Sequence, residues 1–422
     1  MAARNRTEPR IGAFVAVAVN ASLEIARARR NAAFAHRSRR HRSRRMAGPA
    51  RRARRSAIRI AAARVRPGNI ACASVAGMSS ALRPDDVLSL RPQGLYCAAG
   101  DFYIDPLQPV ARALITHGHG DHARADMGEY HTSLAGLPVL RWRLGERRYI
   151  AHDYGEPFNL GAARVSLHPA GHVLGSAQVR IEAGGRVWVV SGDYKRQPDP
   201  TCAPFQPVRC DVFVTEATFA LPIYRWPDTA AEVARIERWR QRCGERGEAA
   251  VLFCYALGKA QRLLAELRAF GGRPVYAHGA IEAGVRVYRE AGVAMVETRP
   301  LEDGGRGAHA GELVLAPPSA LGSAWMRRFR RVQTALASGW MRVRGNRRRR
   351  NVDRGFVISD HADWPALLAS IDDSGASRVL ATHGRSEALV RVLRERGMDA
   401  HSLPAPAQAT PSSPSPSPDS DA

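Results

Sequence analysis

Short apolar runs alternate with amphipathic segments between residues 82 and 403. The runs are rich in Val, Leu, Ile and Ala, which is typical of buried strands, whereas the amphipathic segments carry apolar residues three or four positions apart, as a helix does. Strands are predicted at 113–116, 187–190, 211–215, 251–254, 313–316, 356–358 and 379–382, and helices at 230–242, 259–270, 281–291, 364–371 and 387–396. The alternation predicts an α/β (α+β) fold without an internal repeat.

Charge is concentrated outside this region. The chain of 422 residues has a formal net charge of +24, and residues 1–70 hold 19 Arg against Glu8 and Glu24. A basic excess indicates an anionic partner, although a solvated tail without a partner is the alternative. Residues 1–81 are predicted to form a basic, disordered extension, or to be an artefact of the start site, with Met46 or Met78 as the true start. Residues 404–422 alternate Pro and Ser and predict a disordered tail.

Two absences in the sequence bear on where the protein acts. No apolar run reaches the roughly 18 residues needed to span a bilayer, so no membrane association is expected. The six cysteines show no CxxC pairing or zinc-ribbon spacing, and they are interpreted as reduced thiols. The sequence therefore predicts a soluble, cytoplasmic protein.

The segment Thr116-His-Gly-His-Gly-Asp-His122 carries four potential metal ligands directly after a predicted strand. In a loop, His117 and His119 can point to one side while Asp121 and His122 turn to another, so two adjacent ions can be served. Imidazole and carboxylate suit zinc or manganese, and two ions about 3.5–4 Å apart can hold the attacking and leaving oxygens of a displacement. A surface histidine cluster is the alternative interpretation.

Three further elements follow in order along the chain. They are a glycine-flanked histidine, His172, then Asp193 in Ser191-Gly-Asp-Tyr194, and His383 in Thr382-His-Gly384. This order resembles the metallo-β-lactamase superfamily. The resemblance implies that one divalent ion, Zn or Mn, binds His117, His119 and His172, that a second binds Asp121, His122 and His383, and that Asp193 bridges the two.

Asp105, in Tyr103-Ile-Asp-Pro106, matches an early aspartate of that superfamily. Its implied role is to accept hydrogen bonds that hold the ligand loop, although an Asp before Pro is also common in turns. One departure concerns Gly118 and Gly120, where the relatives usually carry Ala and Ser. Neither position supplies a ligand, so the departure bears on the flexibility of the loop.

Two motifs resemble the nucleic-acid-cutting β-CASP branch of this superfamily. Glu216, in Val214-Thr-Glu-Ala-Thr218, resembles its acidic motif, and His361, in Ser359-Asp-His-Ala-Asp363, its histidine motif. The resemblance implies a four-layered αββα core of residues 82–215 and 355–403 with an α/β cap domain of residues 216–354. The residues of these motifs are similar to those of bacterial DNA exonucleases associated with a DNA ligase and a helicase, and to those of messenger-RNA 3′-end processing factors.

The residues fit phosphodiester hydrolysis. A hydroxide held between two cations is available near neutral pH because metal binding lowers the pKa of water from about 15.7 towards 7, and it would attack the phosphorus in line. His361 would protonate the leaving oxygen or hold the phosphate, and Glu216 would orient a ligand or the water. The catalytic assignments are thus Asp121, His361, Glu216 and Asp105. A packed histidine and a plain loop carboxylate are the alternatives for His361 and Glu216.

Eleven arginines and one aspartate lie between Arg327 and Arg354, interspersed with Trp325, Phe329 and Trp340. Arginines near aromatic rings can grip phosphates and stack on bases, although a solvated basic loop has the same composition. The residues assigned to nucleic-acid contacts are Arg342, Arg344, Arg347, Arg348, Arg349 and Arg350. Gly258-Lys259 lacks the spacing of a P-loop and is interpreted as a helix start that could at most hold a phosphate.

The sequence therefore predicts a two-metal-dependent DNA exonuclease in DNA repair. The nearest alternative is a ribonuclease with the same site, because recognition of the ribose 2′-hydroxyl cannot be placed from the sequence. A nucleic-acid-binding protein without turnover and a small-ester hydrolase are further alternatives.

Overall fold

The computed structural model describes residues 81–301 and 309–404. The predictions for residues 1–80 and 405–422, including the basic extension and the Pro/Ser tail, lie outside the described residues. Within them the strands are β1 (Leu88–Arg91), β2 (Gly94–Cys97), β3 (Phe102–Ile104), β4 (Arg112–Leu114), β5 (Glu129–Ser133), β6 (Tyr149–His152), β7 (Phe158–Leu160), β8 (Ala163–Pro169), β9 (Ala177–Ala183), β10 (Arg186–Val190), β11 (Val212–Glu216), β12 (Ala249–Phe253), β13 (Val275–Ala277), β14 (Thr298–Pro300), β15 (Leu313–Ala316), β16 (Val332–Ala337), β17 (Arg354–Phe356), β18 (Arg378–Thr382) and β19 (Asp399–Ser402). The α-helices are α1 (Leu137–Leu144), α2 (Thr229–Glu245), α3 (Lys259–Glu266), α4 (Gly279–Glu290), α5 (Arg344–Arg349), α6 (Trp364–Ser374) and α7 (Ser386–Glu395).

Two sheets pack face to face in the first part of the fold. One has the order β1-β2-β3-β4-β5-β6 and the other β19-β18-β11-β10-β9-β8-β7. Phe102 and Leu114 of the first sheet share one apolar cluster with Trp188 and Val212 of the second. A sheet with a second apolar face needs a further layer to cover it, and helices supply that layer here.

Strand β11 shows how the layers arise from the side-chain alternation of a strand. Val212 and Val214 point into the space between the sheets. Phe213 points the other way, into a cluster with α6 and α7 that includes Leu367 and Leu389. Helix α1 covers the outer face of the first sheet through Leu140. The predicted four-layered αββα sandwich is therefore confirmed.

A third sheet lies in the sequence between β11 and β18, which pair directly with each other. Its order is β14-β13-β15-β12-β16-β17, and all its pairs are parallel. Helices α2, α3 and α4 cover one face, where Trp239 and Leu263 pack against Leu252. Because the strands are parallel, their carboxyl ends lie at one edge, which is where α/β proteins place functional loops.

Two predicted strands differ from their observed bounds. In each case a backbone amide donates to a side-chain carboxylate instead of to a neighbouring strand. The strand predicted at 113–116 ends at Leu114, since the amide and hydroxyl of Thr116 donate to Asp105 instead. The strand predicted at 356–358 runs from Arg354 to Phe356, and the amide of Val357 then donates to Glu232 Oε2 at 2.9 Å. Helices α1 and α5 were not predicted, nor were strands such as β5 and β16.

The cysteines within the described residues are free thiols: Cys97, Cys202, Cys210, Cys243 and Cys254. Among the described residues no helix is both long and apolar enough to cross a bilayer.

Candidate metal centre

The loop after β4 is held by Asp105. Its Oδ1 accepts from the Thr116 amide at 2.8 Å, and its Oδ2 accepts from the Thr116 hydroxyl at 2.6 Å and from His122 Nδ1 at 2.7 Å. Because the Thr116 hydroxyl donates to Asp105, it accepts from His117 Nδ1 at 3.1 Å. One carboxylate thereby leaves Nε2 of both His117 and His122 free to face the site.

Asp105 adopts φ +43° and His383 φ +56°, in the left-handed region that residues other than glycine rarely adopt. Gly118 and Gly120 do not have positive φ among the described glycines. Glycine at position 118 is instead required by space, since a Cβ there would lie 2.5 Å from Val139 Cγ1. A larger residue at position 118 would therefore have to displace Val139 of α1.

Four side chains converge into one compact group of possible ligands: His117, His119, His172 and Asp193. His119 Nδ1 lies 3.0 Å from His117 Nε2 and 3.1 Å from His172 Nε2. Asp193 Oδ2 lies 3.6 Å from His117 Nε2 and 3.7 Å from His172 Nε2. Three imidazole nitrogens and one carboxylate oxygen around a common point are a donor set that zinc prefers.

The remaining nitrogens of two of these histidines are held by segments at the carboxyl edge of the third sheet. His119 Nε2 donates to the carbonyl of Leu257 at 3.3 Å, and His172 Nδ1 donates to the carbonyl of Asp360 at 2.6 Å. A hydrogen bond of this kind fixes which nitrogen carries the proton and orients the ring. The nitrogens that remain to face the other side chains of the group are therefore Nδ1 of His119 and Nε2 of His172.

The protonation of the cluster suits cation binding. Burial, and then the neighbouring imidazoles, lower the pKa of His117 and of His172 well below the usual value, and burial lowers the pKa of His119. Burial alone would raise the pKa of Asp193, but the electrostatic attraction of His122 and His361 holds it well below the usual range. Neutral imidazoles beside an ionised carboxylate are the forms that coordinate a metal.

The second predicted ligand set is less compact. His122 Nε2 lies 3.5 Å from Asp193 Oδ2 and 3.9 Å from Asp121 Oδ2, and the ring of His383 stacks on that of His122 at a centroid distance of 5.4 Å. The side chain of Asp121 is 71% exposed. Asp193 Oδ2 thus lies next to histidines of both predicted sets, which is where a bridging ligand would have to lie.

One observation tests whether these residues suit a second cation. His122 Nε2 is buried and has no hydrogen-bond partner in the described part of the chain. A buried polar atom without a partner is costly, and ligation of a cation would satisfy it. Burial lowers the pKa of His122, but the carboxylates of Asp193 and Asp105 outweigh this and raise it well above the usual value. A cation would therefore displace a proton there, so its affinity should increase with pH.

Glu216 and His361 form a pair beside Asp193. His361 Nδ1 donates to Glu216 Oε2 at 2.9 Å and lies 4.0 Å from Asp193 Oδ2. Glu216 is buried at the end of β11 and also accepts from the Tyr194 amide at 2.9 Å. Burial lowers the pKa of His361, but Glu216 and then Asp193 outweigh it and raise it to about 9. The imidazole is therefore cationic near neutral pH.

A buried network of charged side chains lies behind His361, and no sequence pattern indicates it. Lys259 Nζ lies 2.6 Å from Asp360 Oδ2, and Arg262 Nη1 lies 3.8 Å from Asp360 Oδ1. Lys195 pairs with Asp199, whose Oδ2 lies 3.6 Å from Arg262 Nε. The amine of Lys259 is thus engaged within the protein. Lys259 and Asp360 are 101 positions apart, and nothing in the sequence links them.

The predicted arginine patch lies at the surface. All six assigned residues are exposed: Arg342, Arg344, Arg347, Arg348, Arg349 and Arg350. The segment that carries these arginines starts near the candidate metal centre. Trp340 contacts Phe219 at a centroid distance of 4.6 Å, and Phe219 contacts His361 at 5.9 Å. A nucleic-acid role for these arginines stays a prediction.

Comparison with known proteins gives several relatives but no matching family model. The chain is 32% identical over 314 residues to a protein of Opitutus terrae named "Probable DNA ligase", a match that covers 74% of this chain and 30% of that protein. It is 32% identical over 132 residues to "Endoribonuclease YSH1" of Gibberella zeae, covering 29% of this chain and 15% of that protein. It is 31% identical over 120 residues to "Cleavage and polyadenylation specificity factor 73" of Drosophila melanogaster, covering 28% and 17%.

These matches span less than a third of each relative's length. Among solved structures, a protein of unknown function from Enterococcus faecalis matches with a TM-score of 0.50 at 14% identity, covering 70% of this chain and 80% of that one. That similarity concerns the fold alone.

Proposed function

Because this chain belongs to the metallo-β-lactamase superfamily, in its β-CASP branch, we propose that it is a metal-dependent phosphodiesterase that removes nucleotides from the ends of DNA. The observation that carries the proposal is the position of Asp193, which belongs to two groups: one with three histidines and one with Glu216 and His361. The first group is suited to hold a cation, and the second to hold a proton. A phosphodiester bond that is cleaved by water requires both.

The ligands proposed for the first ion are His117, His119, His172 and Asp193, and those for the second are Asp121, His122, His383 and Asp193. Bound divalent ions, zinc or manganese, would supply an activated water and stabilise negative charge on the phosphoryl oxygens. The protein itself contributes the orientation of the ligands, through Asp105 and the carbonyls of Leu257 and Asp360.

His361 is proposed to act as the general acid. Glu216 fixes Nδ1, and Nε2 has no hydrogen-bond partner among the described residues. With a pKa raised to about 9, the ring carries its proton near neutral pH and can transfer it from Nε2 to the leaving oxygen. Glu216 then acts through His361, by holding its orientation and its charge. Residues 216–354 are proposed as a cap domain on the core of residues 82–215 and 355–403.

DNA is proposed as the substrate because the match with the protein named as a probable DNA ligase extends over 74% of this chain. On the same match we propose a role in DNA repair together with a ligase, and a helicase partner stays a prediction. The second candidate is a ribonuclease, since an endoribonuclease and a polyadenylation factor match over shorter stretches.

The test uses end-labelled DNA and RNA strands of one sequence, each with zinc or manganese, together with a circular single strand of DNA. We expect stepwise shortening of linear DNA and no cleavage of the circle. Faster cleavage of RNA would favour the second candidate, and cleavage of the circle would contradict exonuclease action. An absence of bound metal after incubation with zinc and with manganese would refute the proposal as a whole.

A further inference from the structure

A cavity of about 350 Å³ opens at the edge of the third sheet, between helix α2 and strand β17. Its floor is formed by Trp239 and Phe356, whose buried rings contact each other at a centroid distance of 5.6 Å. Around this floor stand five exposed arginines, from α2, α5 and β17: Arg235, Arg238, Arg242, Arg347 and Arg354. Four of them were not assigned a role from the sequence.

The positive charge around the cavity is poorly balanced within the protein. Arg235 pairs with the carboxylate of Glu232, and Arg347 donates to the carbonyl of Asp353 at 3.2 Å. The side chains of the other three, Arg238, Arg242 and Arg354, have no hydrogen bond or ion pair with any described residue. Like charges that surround one cavity repel each other, and an external anion would relieve this repulsion.

The arginines of α2 follow the geometry of a helix. Arg235, Arg238 and Arg242 are spaced three and four positions apart, so they lie on one face of α2 and form a row. At a rise of about 1.5 Å per residue, the row is about 10 Å long. A row of this kind suits a polymer with regularly spaced phosphates better than a single small anion.

The row leads away from the metal centre. Helix α2 begins at Thr229, whose hydroxyl accepts from Arg262 Nη2 at 2.8 Å. Arg262 Nη1 donates to the carbonyl of Ser359 at 2.7 Å, two residues before His361. The first turn of α2 is therefore near the catalytic histidine, and the arginines follow it at increasing distance.

The chain itself limits the separation of the two sites. Five residues lead from Phe356 in the cavity to His361, and an extended chain covers at most about 3.6 Å per residue, or about 18 Å in all. At about 3.4 Å per nucleotide of a stacked strand, this corresponds to about five nucleotides. A strand of more than about five nucleotides is therefore long enough to reach from His361 to Phe356.

We propose that the cavity binds the phosphate backbone of the nucleic acid, several nucleotides away from the bond that is cleaved. The arginines of α2 and β17 contact phosphates, and they hold the strand in register with the metal centre. This inference rests on the proposed function for the identity of the ligand, but it concerns binding rather than cleavage.

The test measures the binding of a fluorescein-labelled strand of 20 nucleotides to the full chain by anisotropy, in EDTA, across a series of salt concentrations. The variant is Arg238→Ala with Arg242→Ala. Its matched control is Arg268→Ala with Arg286→Ala, which removes two exposed arginines of the cap region that do not line the cavity. Thermal unfolding verifies that each variant is folded.

We expect the Kd of the cavity variant to rise roughly tenfold, as the loss of two exposed ion pairs predicts. The slope of log Kd against log salt should decrease by about 0.7 for each lost phosphate contact, or about 1.4 in total. The control should keep the slope of the parent. The variant Arg238→Lys with Arg242→Lys should keep most of the parent's salt slope, because lysine retains the positive charge.

A cavity variant with the Kd and salt slope of the control would refute the inference. So would a polyglutamate peptide that binds the parent as tightly as the strand, with the same dependence on Arg238 and Arg242, because the site would then recognise acidic protein. EDTA suppresses turnover, so these outcomes do not depend on cleavage. Failure of the proposed function would appear separately, as an absence of cleavage of any strand when metal is supplied.

Discussion

Lys259→Met should weaken both the fold and the proposed metal site, because Lys259 pairs with Asp360, whose carbonyl holds His172, a proposed metal ligand. Lys259 Nζ lies 2.6 Å from Asp360 Oδ2, both side chains are almost completely buried, and the Asp360 carbonyl accepts from His172 Nδ1. Methionine is nearly as long as lysine and fills the same space without the charge. The perturbation therefore removes one charge and leaves the packing in place.

The expected loss of stability depends on the partners that Asp360 keeps in the variant. Removal of one member of a buried ion pair costs about 3–5 kcal/mol, because the other charge is left without compensation. Arg262 Nη1 still lies 3.8 Å from Asp360 Oδ1 and compensates in part, so we expect a loss near the lower value, about 3 kcal/mol. If the Asp360 carbonyl shifts, the orientation of His172 is lost, and disturbed supporting contacts of this kind reduce metal affinity by about 10–100-fold.

Two measurements test this prediction. Equilibrium unfolding in urea should show a midpoint about 1 M lower for Lys259→Met at an m-value near 3 kcal/mol/M. Competition with a chromophoric chelator should show weaker zinc binding. The control is the double variant with Asp360→Asn, which should lose less stability than the sum of the two single changes by about 0.5–3 kcal/mol. A Lys259→Met variant with the stability and zinc affinity of the parent would refute the reasoning.

Three further predictions concern the site itself. Asp193→Ala should abolish cleavage and lower the metal content, measured by plasma mass spectrometry, while it keeps most of the binding to labelled DNA; cleavage at the parental rate would contradict the catalytic assignment. Glu216→Gln should lower the pKa of His361 from about 9 in the metal-free protein, as followed by histidine NMR. In the parent protein the pKa of His361 is raised above the unfolded value of about 6.5. The stabilisation by the Glu216–His361 pair should therefore be complete below about pH 6.5 and should disappear as pH rises through about 9. Urea unfolding at several pH values measures this change. Gly118→Ala should cost about 1–3 kcal/mol through overpacking against Val139, seen as a lower Tm, and an unchanged Tm would show that α1 can move aside.

The sequence contained enough to predict most of the layers and to identify four side chains that lie together as possible ligands: His117, His119, His172 and Asp193. Strand β11 and helix α2 lie where apolar runs and amphipathic periodicity put them, because burial on one or two faces is a local property of the pattern. The ligand motifs were recognisable because several histidines and aspartates occur within a few residues of predicted strand ends. Short elements such as α1, with no clear apolar stripe, gave no such signal.

Contacts between distant segments could not be predicted in the same way. The pairs of Lys259 with Asp360 and of Glu216 with His361 join residues 101 and 145 positions apart. The cavity of the third sheet also combines arginines from three separate elements. A hydrophobic pattern specifies which face of an element is buried, but not which other element covers it.

What the sequence alone determined is therefore the kind of chemistry: imidazoles and carboxylates at strand ends, in an order typical of a two-metal hydrolase. The tertiary structure decided which nitrogen of each histidine faces the site, how the protons are distributed, and where unbalanced positive charge accumulates. The physical reason is that hydrogen bonds and electrostatic interactions depend on distances of a few ångströms, which only the packing of remote segments establishes.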